Sequence, residues 1–163
     1  MAPVNKTTDL SDQFPAQVQV ALPIGLRHFG RKKNFSGKMV TLKCFEDNSF
    51  VRKLLETDGA GQVLVVDGGG SKRCALLGDL LAALAIKNNW SGVVVYGCIR
   101  DSAAIADMEL GVMALDTIPL KSNKRNEGQE NIALSFAGIT FTTGQYLYAD
   151  EDGILVSENA LSL

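Results

Sequence analysis

The chain has 163 residues, of which 46% are hydrophobic and 21% charged. That is enough apolar material for a sizeable core, it is not the composition of a disordered chain, and the length bounds it to one domain or two very small ones. Sixteen basic and 18 acidic residues leave a formal charge of −2, which argues against a protein that coats nucleic acid but is compatible with a small anion held by one local arginine.

In chain order, Thr8 or Asp9 is placed to cap a short helical turn that Pro15 ends. Gln17–Ala21 and Lys38–Phe45 read as strands, the second (KMVTLKCF) alternating and β-branched. Asp47 or Asn48 caps a helix through Phe50, Val51, Leu54 and Leu55, stopped near Gly59. GQVLVVD (61–67) is a continuous apolar strand of the kind buried on both faces. GGGSKR follows as a loop, GDLLAALAIKN (78–88) as a helix, and GVVVYG (92–97) as a second apolar strand. RDSAAIADMEL (100–110) reads as a helix closed by Gly111, and VMALDTIPL (112–120) as a strand. KSNKRNEGQEN (121–131) is polar and turn-rich, hence an exposed loop. IALSF, ITFTTG, QYLYAD and ILVS read as antiparallel strands joined at Ala137-Gly138 and Glu151-Asp152-Gly153. Helices alternating with apolar strands, followed by a β-rich segment, predict an α/β domain with a parallel core sheet and an added antiparallel layer. No repeat or Pro-rich linker divides the chain, so residues 1–163 read as a single domain.

Several chemistries are excluded or unsupported. The three cysteines, Cys44, Cys74 and Cys98, include no CxxC pair and suit buried apolar positions better than a disulfide, zinc or catalytic role. The only histidine is His28, which rules out HExxH zinc chemistry, and there is no GxSxG elbow. No apolar run approaches the ~20 residues that span a bilayer, and MAPVNKTTDLSDQFP has no signal pattern, so the expectation is a cytoplasmic protein with no membrane association.

The informative stretch is 61–101. Strand, helix and strand form a βαβ unit whose crossover is expected to be right-handed with parallel strands. The helix then starts at the sheet edge where the first strand ends, and the second strand ends at that same edge. The start of helix 78–88 and the Arg100-Asp101 dipeptide are therefore expected on one rim, where open α/β sheets bind ligands. Gly78, Asp79, Leu80 and Leu81 offer free amides and the positive end of a helix dipole. Arg100 offers a planar fork for a carboxylate or carbonyl oxygen. Asp79 and Asp101 are hard oxygen ligands suited to Mg²⁺ or Mn²⁺. Plainer roles stand beside these: Asp79 as a first-turn acid complementing the dipole, Asp101 as a cap for the next helix, Arg100 as an ion-pair partner of either. The segment Asp67-Gly68-Gly69-Gly70-Ser71-Lys72 looks like a phosphate loop but matches neither GxxxxGK[ST] nor GxGxxG, so it reads as a flexible connection. Lys72 reads as solvent-exposed rather than as a Schiff-base lysine, His28 as structural, and Trp90 and Tyr96 as core or interface.

At these residues the chain resembles the RraA-like family, which contains the divalent-metal-dependent 4-hydroxy-4-methyl-2-oxoglutarate aldolases and the ribonuclease E regulators. The resemblance runs through TTDLSDQF (7–14), GKMVTLKCFEDN (37–48), VLVVDGGGSKRCALLGDLLA (63–82), NNWSGVVVYGCIRD (88–101) and IPLKSNKRNEGQENIALSFAGITFTTGQYLYADEDGILVS (118–157). Asp79, twenty residues and then Arg100-Asp101 match the aldolase motif Asp-x20-Arg-Asp.

The resemblance implies a β/β/α sandwich of the swivelling type, assembled as a homotrimer with sites at subunit interfaces. By the same resemblance Gly78 to Leu81 bind a substrate carboxylate through backbone amides, Arg100 binds the keto-acid oxygen, Asp101 is a metal ligand, and Asp79 orients water at the metal. The implied activity is a class II aldolase cleaving 4-hydroxy-4-methyl-2-oxoglutarate to pyruvate, with oxaloacetate decarboxylase activity through the same pyruvate enolate. The alternative it carries is a non-catalytic regulator that binds and inhibits ribonuclease E. Members with a regulatory role can lack the second Asp of the motif, which this chain keeps.

Overall fold

All five residues of VLVVD (63–67) are buried, and successive side chains enter opposite layers, which places this strand at the centre of the molecule. The computed structural model describes residues 5–163. Its first half contains α1 (Thr7–Gln13), β1 (Val18–Val20), β2 (Arg27–His28), β3 (Phe35–Lys43), α2 (Ser49–Leu55), β4 (Val63–Asp67), β5 (Ala75–Leu77) and α3 (Asp79–Lys87). Its second half contains β6 (Gly92–Ile99), α4 (Ser102–Ile105), β7 (Gly111–Thr117), β8 (Gln129–Glu130), β9 (Leu134–Phe136), β10 (Ile139–Phe141), β11 (Tyr146–Asp150) and β12 (Gly153–Ser157).

Strands β3, β4, β6 and β7 run parallel, with Val65 opposite Thr41 on one side and Val94 on the other. Strand β3 also pairs antiparallel with β11, and β11 with β12, so one sheet turns from a parallel into an antiparallel half at β3. The two-residue periodicity of a strand divides the core. Leu64, Val66, Val93 and Val95 face α2, α3 and α4, meeting Val51, Leu55, Leu81, Ala85 and Ile105. Val63, Val65 and Val94 face the other way, against Phe136, Phe141, Leu147 and Val156 of the antiparallel layer. The result is the α/β swivelling β/β/α sandwich expected from the sequence. Each buried Leu or Val contributes about 1.5–3 kcal/mol, so the central strands, lined on both sides, hold the layers together.

Local boundaries differ from the sequence reading in instructive ways. The helix expected over 100–110 is only Ser102–Ile105. Beyond it the amides of Asp107 and Met108 bond to Ala104 and Ile105, three residues back, so the chain tightens into turns. Only Ile105 and Leu110 of that stretch are buried, with Met108 packed half-buried against the core, too few to hold a longer helix. Strands β2, β5 and β8, of two or three residues, lie outside any predicted strand, because such short pieces carry no periodic signal. The trailing strands are antiparallel as expected, but β9 and β10 form a separate two-stranded sheet. They join at Ala137 and Gly138, both at positive φ, as a two-residue hairpin of this twist requires. No helix among the described residues is long and apolar enough to cross a membrane.

Candidate active site

The βαβ crossover brings the two ends of the Asp-x20-Arg-Asp motif together. Strand β4 pairs parallel with β6, and the chain between them re-enters the sheet edge as β5 before α3 begins. The Asp79 amide donates to Asp101 Oδ2 at 3.1 Å, and one pocket is lined by Gly78, Asp79, Leu80, Leu81, Arg100 and Asp101.

Each of these residues owes its place to a local feature. Asp101 adopts a left-handed backbone (φ 56°, ψ 40°), a conformation Asp tolerates better than most side chains. The kink ends β6 and directs its carboxylate to α3 instead of to the helix it precedes; it makes no side-chain cap on α4. Gly78 is extended (φ −129°, ψ −171°), so its backbone would accept any residue. Its constraint is space: a Cβ there would lie 2.8 Å from Asp101 Oδ2 and 3.5 Å from Arg100 Cγ and Nε. The first intrahelical bond of α3 runs from the Ala82 amide to the Gly78 carbonyl at 3.0 Å. The amides of Asp79, Leu80 and Leu81 therefore precede the ladder, and Asp101 takes the first of them. Arg100 is anchored by its amide to the Leu77 carbonyl at 2.9 Å. Among the described residues its guanidinium has only a long 3.5 Å contact to the Pro119 carbonyl, which leaves the fork free for a ligand.

Cationic side chains line the rest of this pocket. Arg52, Lys121 and Lys124 line the same pocket, with Asn48 between α2 and the loop 121–128. Arg52 is paired with Glu56 at 3.1 Å. The loop reads as merely exposed in the sequence, yet it is tied down by a fully buried carboxylate, Asp47. Asp47 Oδ2 accepts from the amides of Arg125 and Glu127 at 2.8 and 3.1 Å. Asp47 Oδ1 accepts from the Ser49 amide and hydroxyl. Burial pushes the Asp47 carboxyl up, but these bonds outweigh it and hold it below the usual carboxylate range. Beside it, Ser122 Oγ donates to Asn48 Oδ1 at 2.8 Å and accepts from the Asn48 amide at 3.1 Å.

Residues 7–156 match the RraA-like family, described as Aldolase/RraA. The chain belongs to the RraA-like family. A protein of Aromatoleum aromaticum is 56% identical over 156 residues, covering 96% of this chain and 98% of that one. One of Dechloromonas aromatica is 56% identical over 161 residues, again 96% and 98%. Both carry the name "Putative 4-hydroxy-4-methyl-2-oxoglutarate aldolase". Among solved structures, an S-adenosylmethionine:2-dimethylmenaquinone methyltransferase from Geobacillus kaustophilus superposes with a TM-score of 0.93 at 49% identity, covering 96% of this chain and 97% of that one. The RNA-processing inhibitor RraA from Thermus thermophilis gives 0.93 at 45%, covering 97% and 95%. Three functions are named among close relatives of one fold, so the site has to decide among them.

The other polar residues singled out in this RraA-like sequence lie in structural roles. The Gly-rich segment 68–73 runs into strand β5 rather than into a helix, and Ser71 and Arg73 both donate to Glu46. Lys72 is exposed and 3.8 Å from Asp116. His28 Nε2 meets the Asp150 carbonyl at 2.6 Å, Trp90 Nε1 donates to the Thr57 carbonyl at 3.1 Å, and Tyr96 stacks on Phe136 at 4.8 Å. All three cysteines are buried, and burial is the main cause that pushes the Cys44 thiol up to about 12, which makes it unreactive at neutral pH.

The resemblance to metal-dependent aldolases implies a divalent cation at this rim. Among the described residues no three His, Cys, Asp or Glu side chains cluster around a common point. Asp101 and Asp79 are the carboxylates at the rim. Mg²⁺ commonly takes one or two carboxylates and keeps water and substrate oxygens for the rest, so a donor set of two carboxylates is compatible with a hard divalent cation.

Proposed function

We propose that the pocket binds a 2-oxo acid and cleaves the bond between its C3 and C4. The chain would act as a class II 4-hydroxy-4-methyl-2-oxoglutarate aldolase that also decarboxylates oxaloacetate. The observation that carries the reading is the meeting of free helix amides, an unpaired guanidinium and two carboxylates in one pocket, with the Asp79 amide 3.1 Å from Asp101 Oδ2.

The substrate's C1 carboxylate sits on the Leu80 and Leu81 amides, which offer hydrogen bonds and the positive end of α3. Arg100 donates to the C2 keto oxygen. Negative charge grows on that oxygen as the C3–C4 bond breaks, so the Arg100 contact strengthens toward the transition state. Asp101, with Asp79 close by, would hold Mg²⁺ or Mn²⁺, which supplies Lewis-acid stabilisation of the enolate when bound. Asp79 orients a water that accepts the C4 hydroxyl proton and then delivers a proton to C3 of the enolate. The electron pair of the broken bond becomes the enolate, the C4 fragment leaves as pyruvate, and protonation gives a second pyruvate. With oxaloacetate the same enolate forms as carbon dioxide leaves. Leu80, in the pocket lining, and Leu120, next to the lining residue Lys121, are 78% and 60% exposed, and a homotrimer with the site at a subunit interface would cover them.

A coupled assay for pyruvate, run with each substrate, tests the reading. Turnover should require added Mg²⁺ or Mn²⁺ and stop reversibly in EDTA; full activity in EDTA refutes the metal role. The Thermus relative is an RNA-processing inhibitor, which supports a second reading, in which this chain binds ribonuclease E. A pull-down repeated with Asp101→Ala separates the two, because docking on a partner need not use the rim. A cofactor site of S-adenosylmethionine type at the loop after β4 is disfavoured, since Ser71 and Arg73 are already bound to Glu46 and no helix N-terminus follows.

A further inference from the structure

We propose that a second cavity, at the carboxyl ends of β3 and β4, binds a free α-amino acid with an apolar side chain. Asp67 takes the ammonium, Lys43 the carboxylate and Phe45 the side chain. The cavity shares no lining residue with the rim pocket, so the proposal stands apart from the reading of the rim.

The floor of the cavity argues for it first. Asp67 ends β4 and is only 7% exposed. Its Oδ1 accepts from the Gly69 amide at 2.8 Å, while its Oδ2 has no hydrogen-bond partner among the described residues. That oxygen is not sealed in, since the buried side-chain atom left without a partner is His28 Nδ1. It faces open space, and Asp67 lines a cavity of about 350 Å³ together with Lys43, Phe45, Arg125, Glu127 and Gln129. That volume lies within the roughly 300–1,000 Å³ of small-molecule sites. A carboxylate oxygen so far withdrawn from water calls for a donor, and a cationic donor bonds it most strongly.

Strand register then sets the charges. Lys43 stands opposite Asp67 across parallel β3 and β4, and Gln129 stands opposite Lys43 across β3 and β8. Opposed residues in a ladder share a face. The three therefore form a row on the face of Val63 and Val65, turned away from α2 and α3. Lys43 is exposed and makes no salt bridge among the described residues, with Asp67 or any other acid. Arg125 is already met by Glu127 at 3.5 Å. The cavity thus holds an unpaired acid at its floor beside an unpaired base that water reaches. A ligand with one charge leaves the other group unmet, whereas a zwitterion meets both. Phe45 supplies the apolar wall. Its ring packs on Gly69, where a Cβ would lie 3.0 Å from Cδ1, and Arg73 stands 5.7 Å from its centroid. It is still 52% exposed, so an apolar side chain laid on it removes ring surface from water.

The test uses ligand-observed NMR and calorimetry on the full-length protein, with L-leucine, L-methionine and L-phenylalanine as probes. Two analogues of leucine dissect the zwitterion: isoamylamine lacks the carboxylate and 4-methylpentanoate lacks the ammonium. Leucine should bind, and each analogue should bind about tenfold or more weakly. Asp67→Asn and Lys43→Met should each raise the leucine Kd by a similar factor, and Arg100→Ala should leave it unchanged. Asn keeps an oxygen for the Gly69 amide, and Lys43 is exposed, so Lys43→Met carries the test if Asp67→Asn does not fold. Binding of none of the three amino acids overturns the proposal. So does leucine affinity that survives both variants, or isoamylamine binding as tightly as leucine, which would make the cavity a site for simple organic cations. Loss of leucine binding in Arg100→Ala would place the amino acid at the rim and also overturn it. Pyruvate formation at the rim is a separate readout, so neither reading falls with the other.

Discussion

The two sides of the pocket are built by opposite means. The rim side mounts exposed or half-buried functional groups on regular elements: Asp79 at the start of α3, Arg100 and Asp101 at the end of β6. The loop side mounts two exposed lysines on irregular backbone and fixes it with a carboxylate that water never reaches. Where sheet and helix already determine position, the chemical groups are free of structural duty and can be changed with little loss of stability. Where no regular element exists, a buried polar hub must supply the order, and position and stability become the same property.

The sharpest way to break this contrast is at the rim. Arg100→Ala and Asp101→Asn should each lower kcat by about 10²–10³-fold, the loss seen when one stabiliser of transition-state charge is removed. Asn keeps the tolerance for the left-handed backbone and a side-chain oxygen for the Asp79 amide, so the thermal midpoint of Asp101→Asn should barely move. A large loss of stability there would mean that the rim is structural after all. Gly78→Ala sharpens the point. Its φ suits any residue, so only the 2.8 Å approach to Asp101 Oδ2 is at issue. We expect an activity loss of about tenfold or more from this displacement of catalytic groups, with folding preserved by circular dichroism.

The hub predicts the reverse. Asp47→Ala strands the Arg125 and Glu127 amides and should cost about 3 kcal/mol in urea unfolding, within the range for lost hydrogen bonds to a buried charge. Its pH signature follows from the direction of the shift. The folded carboxyl titrates below its ordinary value, so its contribution is complete above the usual carboxylate range and is lost as the pH falls through the folded value. Burial and hydrogen bonds from Thr7 and Asp152 act the same way at Asp150, with the bonds prevailing. Unfolding free energy should therefore decline on acidification below about pH 4, and more shallowly in Asp47→Asn.

The same contrast explains what could be read from the sequence. Continuous apolar strands joined through a helix run parallel, and that direction alone puts residues 78–81 and 100–101 on a common edge. The layering follows from the alternation within VLVVD. The hub was not legible. Asp47 and Asn48 look like helix caps; Asn48 makes no side-chain bond to α2, while Asp47 accepts the Ser49 amide at its start. Their partners in the loop lie 74 to 80 residues away, in a segment whose polar composition signals only exposure. Long-range polar pairing has no period, so only coordinates reveal it. The αL kink at Asp101 was hidden for a related reason: helix-forming residues follow it, and the tertiary bond to α3 overrides them.

The smallest effect is expected at Glu46 and Arg73, which resemble the hub in wiring but lie at the surface, with Arg73 exposed and Glu46 half-buried. Hydrogen bonding from Arg73, then from Ser71, lowers the Glu46 carboxyl to about 2. Its contribution is present above the usual carboxylate range and fades only as the pH approaches that low value. A surface pair of this kind, with the guanidinium in water, is screened by salt and adds little to folding. Arg73→Ala should return the Glu46 carboxylate resonance to an ordinary midpoint in an NMR titration while leaving the thermal midpoint and pyruvate formation nearly as they were. If turnover collapsed instead, the Gly-rich loop that this pair clasps would have to reach the substrate, and the division between a chemical rim and a structural loop would not hold.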